Sequence, residues 1–240
     1  MKLCILDNDV LDATLASRYN SFAAMFERLF RDAGAQWSFT SFNTMRGEFP
    51  ESFDAFDAVL LTGSHADSFS QDAWVLALRE RVEHLLLTKK KLLGVCFGHQ
   101  LIGLCLGSEV GRAPQGWGAG RMTYTWHKPD IPHAPLPALQ GENSEISLLA
   151  SHQDQVFALP AGATLLASSP FCPVAAFSVG REVFCIQPHP EFVVDFSAYL
   201  LNKRRHLLGE EQHAKSLSSL VDGHDGLEVA RMMVAFVEDR

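Results

Sequence analysis

Apolar residues along the chain follow three spacings, and each predicts a different element. Continuous apolar runs at Leu3–Leu6, Asp57–Leu61, Leu92–Val95 and Phe184–Ile186 predict strands buried on both faces, as in a parallel sheet. Strict alternation at Trp37–Phe42 predicts a half-exposed strand. Helical spacing places Phe22, Met25, Phe26, Leu29 and Phe30 on one core-facing stripe. The same spacing sets Trp74, Leu76, Val82, Leu85 and Leu86 on a second helix, which Lys89-Lys90-Lys91 closes as a solvated C-terminus. Beyond a glycine-rich stretch, Arg121–Trp126, Ile146–Ala150, Val156–Leu159, Thr164–Ala167 and Val174–Phe177 predict short strands. Turns at Pro160-Ala161-Gly162 and Val179-Gly180 join the later ones, and Pro129–Pro137 predicts a loop or hairpin excursion. From Phe192 to Arg240 the pattern is helical, interrupted by the charged stretch Gly209–Gly226. The prediction is an α/β fold: an open, mostly parallel sheet flanked by helices, with a small antiparallel β excursion. One domain spans 1–240, with a helical C-terminal extension from about residue 201.

At 240 residues and 47% hydrophobic content the chain can bury a large core. A net charge of −8 argues against nucleic acid as a partner, because phosphate neutralisation needs a basic surface. Five cysteines with no C-x-x-C pair suit a reducing compartment better than a disulfide scaffold. No run approaches the ~18 apolar residues of a membrane span, and acidic Asp7 and Asp9 follow the first apolar run at once, unlike a signal peptide. A cytoplasmic location is expected, with no membrane partner.

The chemistry concentrates where predicted strands end. Leu92–Val95 breaks at Cys96, and Leu101–Leu104 resumes with helical character. A residue at such a corner projects above the sheet edge, and Gly94 and Gly98 stand where side chains would crowd it. This is the nucleophile elbow, with cysteine as the nucleophile. The following helix aims its free N–H groups at the sulfur. A second strand runs into Thr62-Gly63-Ser64-His65; Gly63 leaves a backbone N–H uncovered, as an oxyanion hole requires, and the residue after the nucleophile, Phe97, supplies the second. His65 and Asp67 read as rim residues. A third strand ends in Gln187-Pro188-His189-Pro190-Glu191, so His189 can stand at the same edge as Cys96 with Glu191 holding one ring nitrogen. Gly116-Trp117-Gly118-Ala119-Gly120 is no phosphate loop, because no Gly-Lys-Ser/Thr follows and a strand comes next. No cofactor and no metal is expected.

These pieces resemble the class I (triad-type) glutamine amidotransferases. The likeness rests on Gly94–Gln100 and Gln187–Glu191, with support from Thr62-Gly63-Ser64 and Ser151-His152-Gln153-Asp154-Gln155-Val156. It is nearest to stand-alone proteins similar to the amidotransferase domain of GMP synthase and to γ-glutamyl peptidases. The resemblance implies a flavodoxin-like fold and a Cys96, His189, Glu191 triad. It implies attack on the side-chain amide of glutamine, or on a γ-glutamyl amide, through a γ-glutamyl thioester. Gly63 and Phe97 match the oxyanion hole, while Gln100, Ser151 and His152 match positions that contact the substrate. Many relatives carry a Gly-Gly-Pro-Gly oxyanion loop, of which only Gly63 remains here. An amidotransferase must also pass ammonia to an acceptor, and these 240 residues leave no room for an ATP-dependent synthase domain. The expectations are therefore a hydrolase acting alone on a small molecule, a glutaminase serving a separate synthase subunit, or a catalytically silent binding module.

Overall fold

The computed structural model describes residues 1–127 and 143–239; the expected excursion at 129–137 lies outside them. In chain order the elements begin with β1 (Lys2–Asp7), α1 (Ala13–Tyr19), α2 (Phe22–Asp32), β2 (Ser38–Asn43), β3 (Ala58–Leu61), α3 (Ala73–Leu87) and β4 (Lys91–Val95). There follow α4 (Phe97–Cys105), β5 (Val110–Arg112), β6 (Gly118–His127), β7 (Asn143–His152), β8 (Asp154–Val156), β9 (Thr164–Ser168), β10 (Ala176–Val179) and β11 (Val183–Ile186). Four helices close the chain: α5 (Val194–Lys203), α6 (Arg205–Leu208), α7 (Glu210–Ser218) and α8 (Gly226–Val237).

Nine strands form one sheet in the order β2-β1-β3-β4-β11-β10-β9-β6-β7, and β5 pairs with β8 separately. From β2 to β11 every neighbouring pair is parallel, and from β11 to β7 every pair is antiparallel. The antiparallel strands thus continue the parallel sheet as one surface.

The parallel half explains the continuous apolar runs. Successive side chains leave a strand on opposite faces, so a strand covered on both sides needs apolar residues throughout. Leu3, Ile5, Leu60, Leu93, Phe184 and Ile186 face a layer containing Phe26 and Phe30 of α2 and Met232, Met233 and Phe236 of α8. Cys4, Leu6, Val59, Leu61, Leu92 and Cys185 face Val75, Leu78, Val82 and Leu85 of α3 and Leu101 and Ile102 of α4. A third cluster joins Leu15 and Tyr19 of α1 to Leu149, Phe192 and Phe196.

Several expectations need correction. The α2 stripe divides: Phe26 and Phe30 enter the first cluster, Phe22 and Met25 the third. On α3 the buried face is Val75, Leu78, Val82 and Leu85, and Leu76 is exposed because it lies off that arc. The lysine triplet is not simply a solvated helix end. Lys91 belongs to β4, and its ammonium donates to the carbonyls of Phe236 (2.9 Å) and Val237 (3.1 Å) and pairs with Asp239 (2.6 Å), capping α8. Gly209–Gly226 contains α7, which its polar composition concealed. The C-terminal segment is no appendage, since α8 covers one face of the sheet.

Candidate active site

Four chain corners meet at the carboxyl ends of β1, β3, β4 and β11, where open α/β sheets present ligand sites. Cys96 is the corner after β4. Its φ of 52° and ψ of −102° lie outside the regions an L-residue ordinarily adopts, a strain of about 1–3 kcal/mol. The surroundings enforce it. A β-carbon on Gly94 would meet Ile102 Cδ1 at 2.8 Å and the Gly98 carbonyl at 2.9 Å, and one on Gly98 would collide with the Leu61 carbonyl oxygen. The Cys96 amide donates to the Ile186 carbonyl (2.9 Å), and its own carbonyl accepts from Gln100 N–H (3.0 Å), closing the first turn of α4.

His189 follows β11. Its backbone N–H donates to the Leu149 carbonyl at 2.9 Å, tying this corner to β7. Its Nδ1–H donates to Glu191 Oε1 at 2.7 Å, and its ring stacks on Phe192 with centroids 3.8 Å apart and planes 11° from parallel. Both residues of the pair are buried. Burial works to lower the His189 pKa, but the Glu191 carboxylate and the neighbouring Cys96 sulfur outweigh it and push it up to about 10. Both neighbours thus favour the protonated ring.

Gly63 lies directly under that ring. A β-carbon there would fall 2.8 Å from His189 Cε1 and 3.6 Å from Cys96 Cβ. Its loop is fixed from both sides. Asn8 N–H donates to Thr62 Oγ1 (2.9 Å) and Asn8 Nδ2 to the Thr62 carbonyl (3.0 Å). Asp9 accepts from the His65 backbone N–H (2.9 Å) and lies 2.7 Å from His65 Nδ1, which raises the His65 pKa. The rim histidine is therefore a clamp on the loop that carries Gly63.

The site opens into a cleft of about 410 Å³. Ser64, His65, Ser151 and His189 line it together with Asp9, Asp12, Leu200, Lys203 and Arg204. Ser151 lines the cleft and its hydroxyl accepts from Arg204 Nη1. Gln100 is buried behind the elbow, where its amide donates to the Asp154 carbonyl (2.9 Å) and Gln187 Oε1 (3.2 Å). His152 is also buried, with Nδ1 3.1 Å from the Asp154 carbonyl and its ring edge-on to Phe171, and burial lowers its pKa to about 4. Cys96, Gly63 and Glu191 therefore gather around His189, and of the predicted site residues His189 and Ser151 line the cleft, whereas Gln100 and His152 do not.

Arg204, Phe192 and the Asp9–His65 clamp were not singled out as functional from sequence. Asp9 carried a signal as a polar residue at a strand's carboxyl end; Arg204, in a helical run, carried none. Among the described residues no cluster of His, Cys, Asp and Glu is arranged to hold a metal ion, and no helix is long and apolar enough to cross a membrane.

Residues 15–202 match the family model described as glutamine amidotransferase class-I. The chain is 36% identical over 198 residues to γ-glutamyl peptidase 3 of Arabidopsis thaliana, covering 79% of this chain and 75% of that protein. It is 38% identical over 103 residues to a glutamine-hydrolysing GMP synthase of Aeropyrum pernix, covering 42% of this chain and 19% of that protein. In fold it is similar to a glutamine amidotransferase from Thermotoga maritima, with TM-score 0.77 at 19% identity, covering 99% and 98% of the two chains.

Proposed function

The chain belongs to the class I glutamine amidotransferase family, and from that premise we propose that it cleaves γ-glutamyl amide bonds through a thioester on Cys96. The observation that carries this reading is the convergence of a positive-φ cysteine, a buried His189–Glu191 pair at 2.7 Å and a Gly63 packed against the His189 ring at one sheet edge. Cys96 attacks the side-chain carbonyl carbon of a γ-glutamyl group, and the carbonyl π electrons move onto oxygen. The N–H groups of Gly63 and Phe97 hold that oxyanion, each donor lowering the barrier by about 3 kcal/mol. His189 donates its proton to the departing nitrogen as the C–N bond breaks, leaving the γ-glutamyl thioester. The neutral ring then takes a proton from water, whose oxygen attacks the thioester, and glutamate leaves as Cys96 recovers its electron pair. Glu191 keeps the ring oriented through both steps and stabilises its charge.

The likeness to γ-glutamyl peptidase 3 over three-quarters of that protein supports a peptide amide as the substrate. The shorter likeness to a GMP synthase supports a second reading, in which glutamine is the substrate and a separate synthase takes the ammonia. The test is glutamate release from glutamine and from a panel of γ-glutamyl dipeptides, comparing wild type with Cys96→Ala. Cys96-dependent turnover of a dipeptide above glutamine supports the first reading. Turnover of glutamine alone favours the second. No turnover of either, with no labelling of Cys96 by an electrophilic glutamine analogue, overturns both.

A further inference from the structure

Basic side chains around the cleft mostly have acidic partners. Lys203 donates to Asp12 at 2.7 Å, Arg18 to Asp195 at 2.5 Å, and Arg205 pairs with Glu210. Arg204 is the exception. It lines the cleft, yet among the described residues no carboxylate lies within ion-pairing distance of it. Among the described residues its one side-chain hydrogen bond runs from Nη1 to the Ser151 hydroxyl, and its guanidinium lies over the Trp117 ring, 5.1 Å from the centroid. Burial works against its charge, while Cys96 and Asp9 act on it electrostatically from beyond pairing distance. A guanidinium presents five N–H donors in a planar fork that matches a carboxylate, and Trp117 and Ser151 hold this fork in one orientation. A half-buried cation, oriented by Trp117 and Ser151 and without a carboxylate partner, lines the same cleft as His189 and leaves a carboxylate-shaped requirement unfilled.

We propose that Arg204 is the specificity-determining residue for the substrate's α-carboxylate, binding it through the N–H groups that Ser151 leaves free. The proposal rests on the γ-glutamyl reading above. In a γ-glutamyl amide that carboxylate is present whatever the leaving group, separated from the scissile carbonyl only by the Cγ, Cβ and Cα atoms. His189 and Arg204 line the same cleft, so one ligand can reach both.

The experiment uses γ-glutamylalanine and its analogue with the glutamyl α-carboxylate replaced by a carboxamide. Calorimetric binding to Cys96→Ala and to Cys96→Ala with Arg204→Met separates recognition from chemistry. Kinetics of wild type, Arg204→Met and Arg204→Lys complete it, with thermal melts confirming that each variant is folded. Loss of a bidentate, charge-assisted contact is expected to weaken dipeptide binding and raise KM by roughly tenfold to a hundredfold, with kcat changing less than about threefold. Arg204→Lys should recover part of the loss, and wild type should discriminate against the carboxamide by a similar factor that Arg204→Met abolishes. Equal handling of the two compounds by wild type, or Arg204-independent binding, overturns the proposal. So does a loss seen only when the alanine carboxylate is removed, which would assign Arg204 to the leaving residue. Arg204-dependent binding without turnover by wild type would overturn the catalytic reading and leave the recognition role standing. Turnover with Arg204-independent binding would do the reverse.

Discussion

Replacing Gly63 by alanine tests the oxyanion geometry with a single methyl group. The φ at Gly63 is not positive, so the backbone itself tolerates alanine. The obstacle is contact: the new methyl would sit 2.8 Å from His189 Cε1. Ordinary carbon–carbon contact is about 3.5–4.0 Å, so something must yield by roughly 0.7–1.2 Å. The ring is poorly placed to move, being bonded to Glu191 at 2.7 Å and stacked on Phe192 at 3.8 Å. The Gly63 loop is the softer partner despite its Asp9–His65 clamp, and its displacement carries the Gly63 N–H out of line with the oxyanion. Losing one such donor lowers kcat by about a hundredfold to a thousandfold. Overpacking should cost about 1–3 kcal/mol in stability, leaving the fold intact. Glutamate release measured beside iodoacetamide labelling of Cys96 checks both parts: kcat should collapse while Cys96 stays reactive. A Gly63→Ala enzyme with kcat within about threefold of wild type would refute the reasoning.

Three further predictions concern charge. Glu191 is the chief influence raising the His189 pKa, so Glu191→Gln should shift the basic limb of the kcat/KM profile down from near pH 10, as a pH–rate series will show. In wild type the stability from the raised His189 pKa is full below its ordinary value of 6.5 and is lost as pH rises through about 10. Asp7 is buried, and burial raises its pKa from 3.8 to about 6, so the native state holds a proton that the unfolded chain releases. Its contribution makes stability fall as pH rises from 4 through 6, and Asp7→Asn should remove about 2 kcal/mol of pH-dependent urea-unfolding free energy between pH 4 and pH 8. Lys91→Met uncaps α8 and should cost about 1–3 kcal/mol in the same assay, with activity little changed.

How much of this the sequence discloses follows from the range of each interaction. The strands of the parallel half are legible because burial on both faces demands unbroken apolar runs, and Leu3–Leu6 and Leu92–Val95 have them. The elbow is legible because Gly94 is required by crowding against Gly98 and Ile102, within a few residues of Cys96, although the crowding at Gly98 comes from Leu61 on β3. The His189–Glu191 pair is legible because its members are two residues apart. Partnerships across the chain leave no such trace. Nothing near Lys91 announces the α8 carbonyls, and nothing near Arg204 announces Ser151 or Trp117. Gln100 sits one helical turn beyond Cys96, but which way its amide turns depends on Asp154 and Gln187, contributed by distant strands. The exposed Leu76 on α3 marks a milder limit, because several apolar arcs fit one short helix and only packing selects among them.

The central claim is covalent chemistry at Cys96, and the direct measurement is to catch the acyl group there. Wild-type protein mixed with excess γ-glutamylalanine, quenched in acid within the first turnovers and digested, should yield the peptide containing Cys96 with one added γ-glutamyl group. The adduct should be absent from Cys96→Ser and from the peptides bearing Cys4, Cys105, Cys172 and Cys185. Rapid glutamate release with Cys96 unmodified at every quench time, and undiminished in Cys96→Ala, would contradict the account.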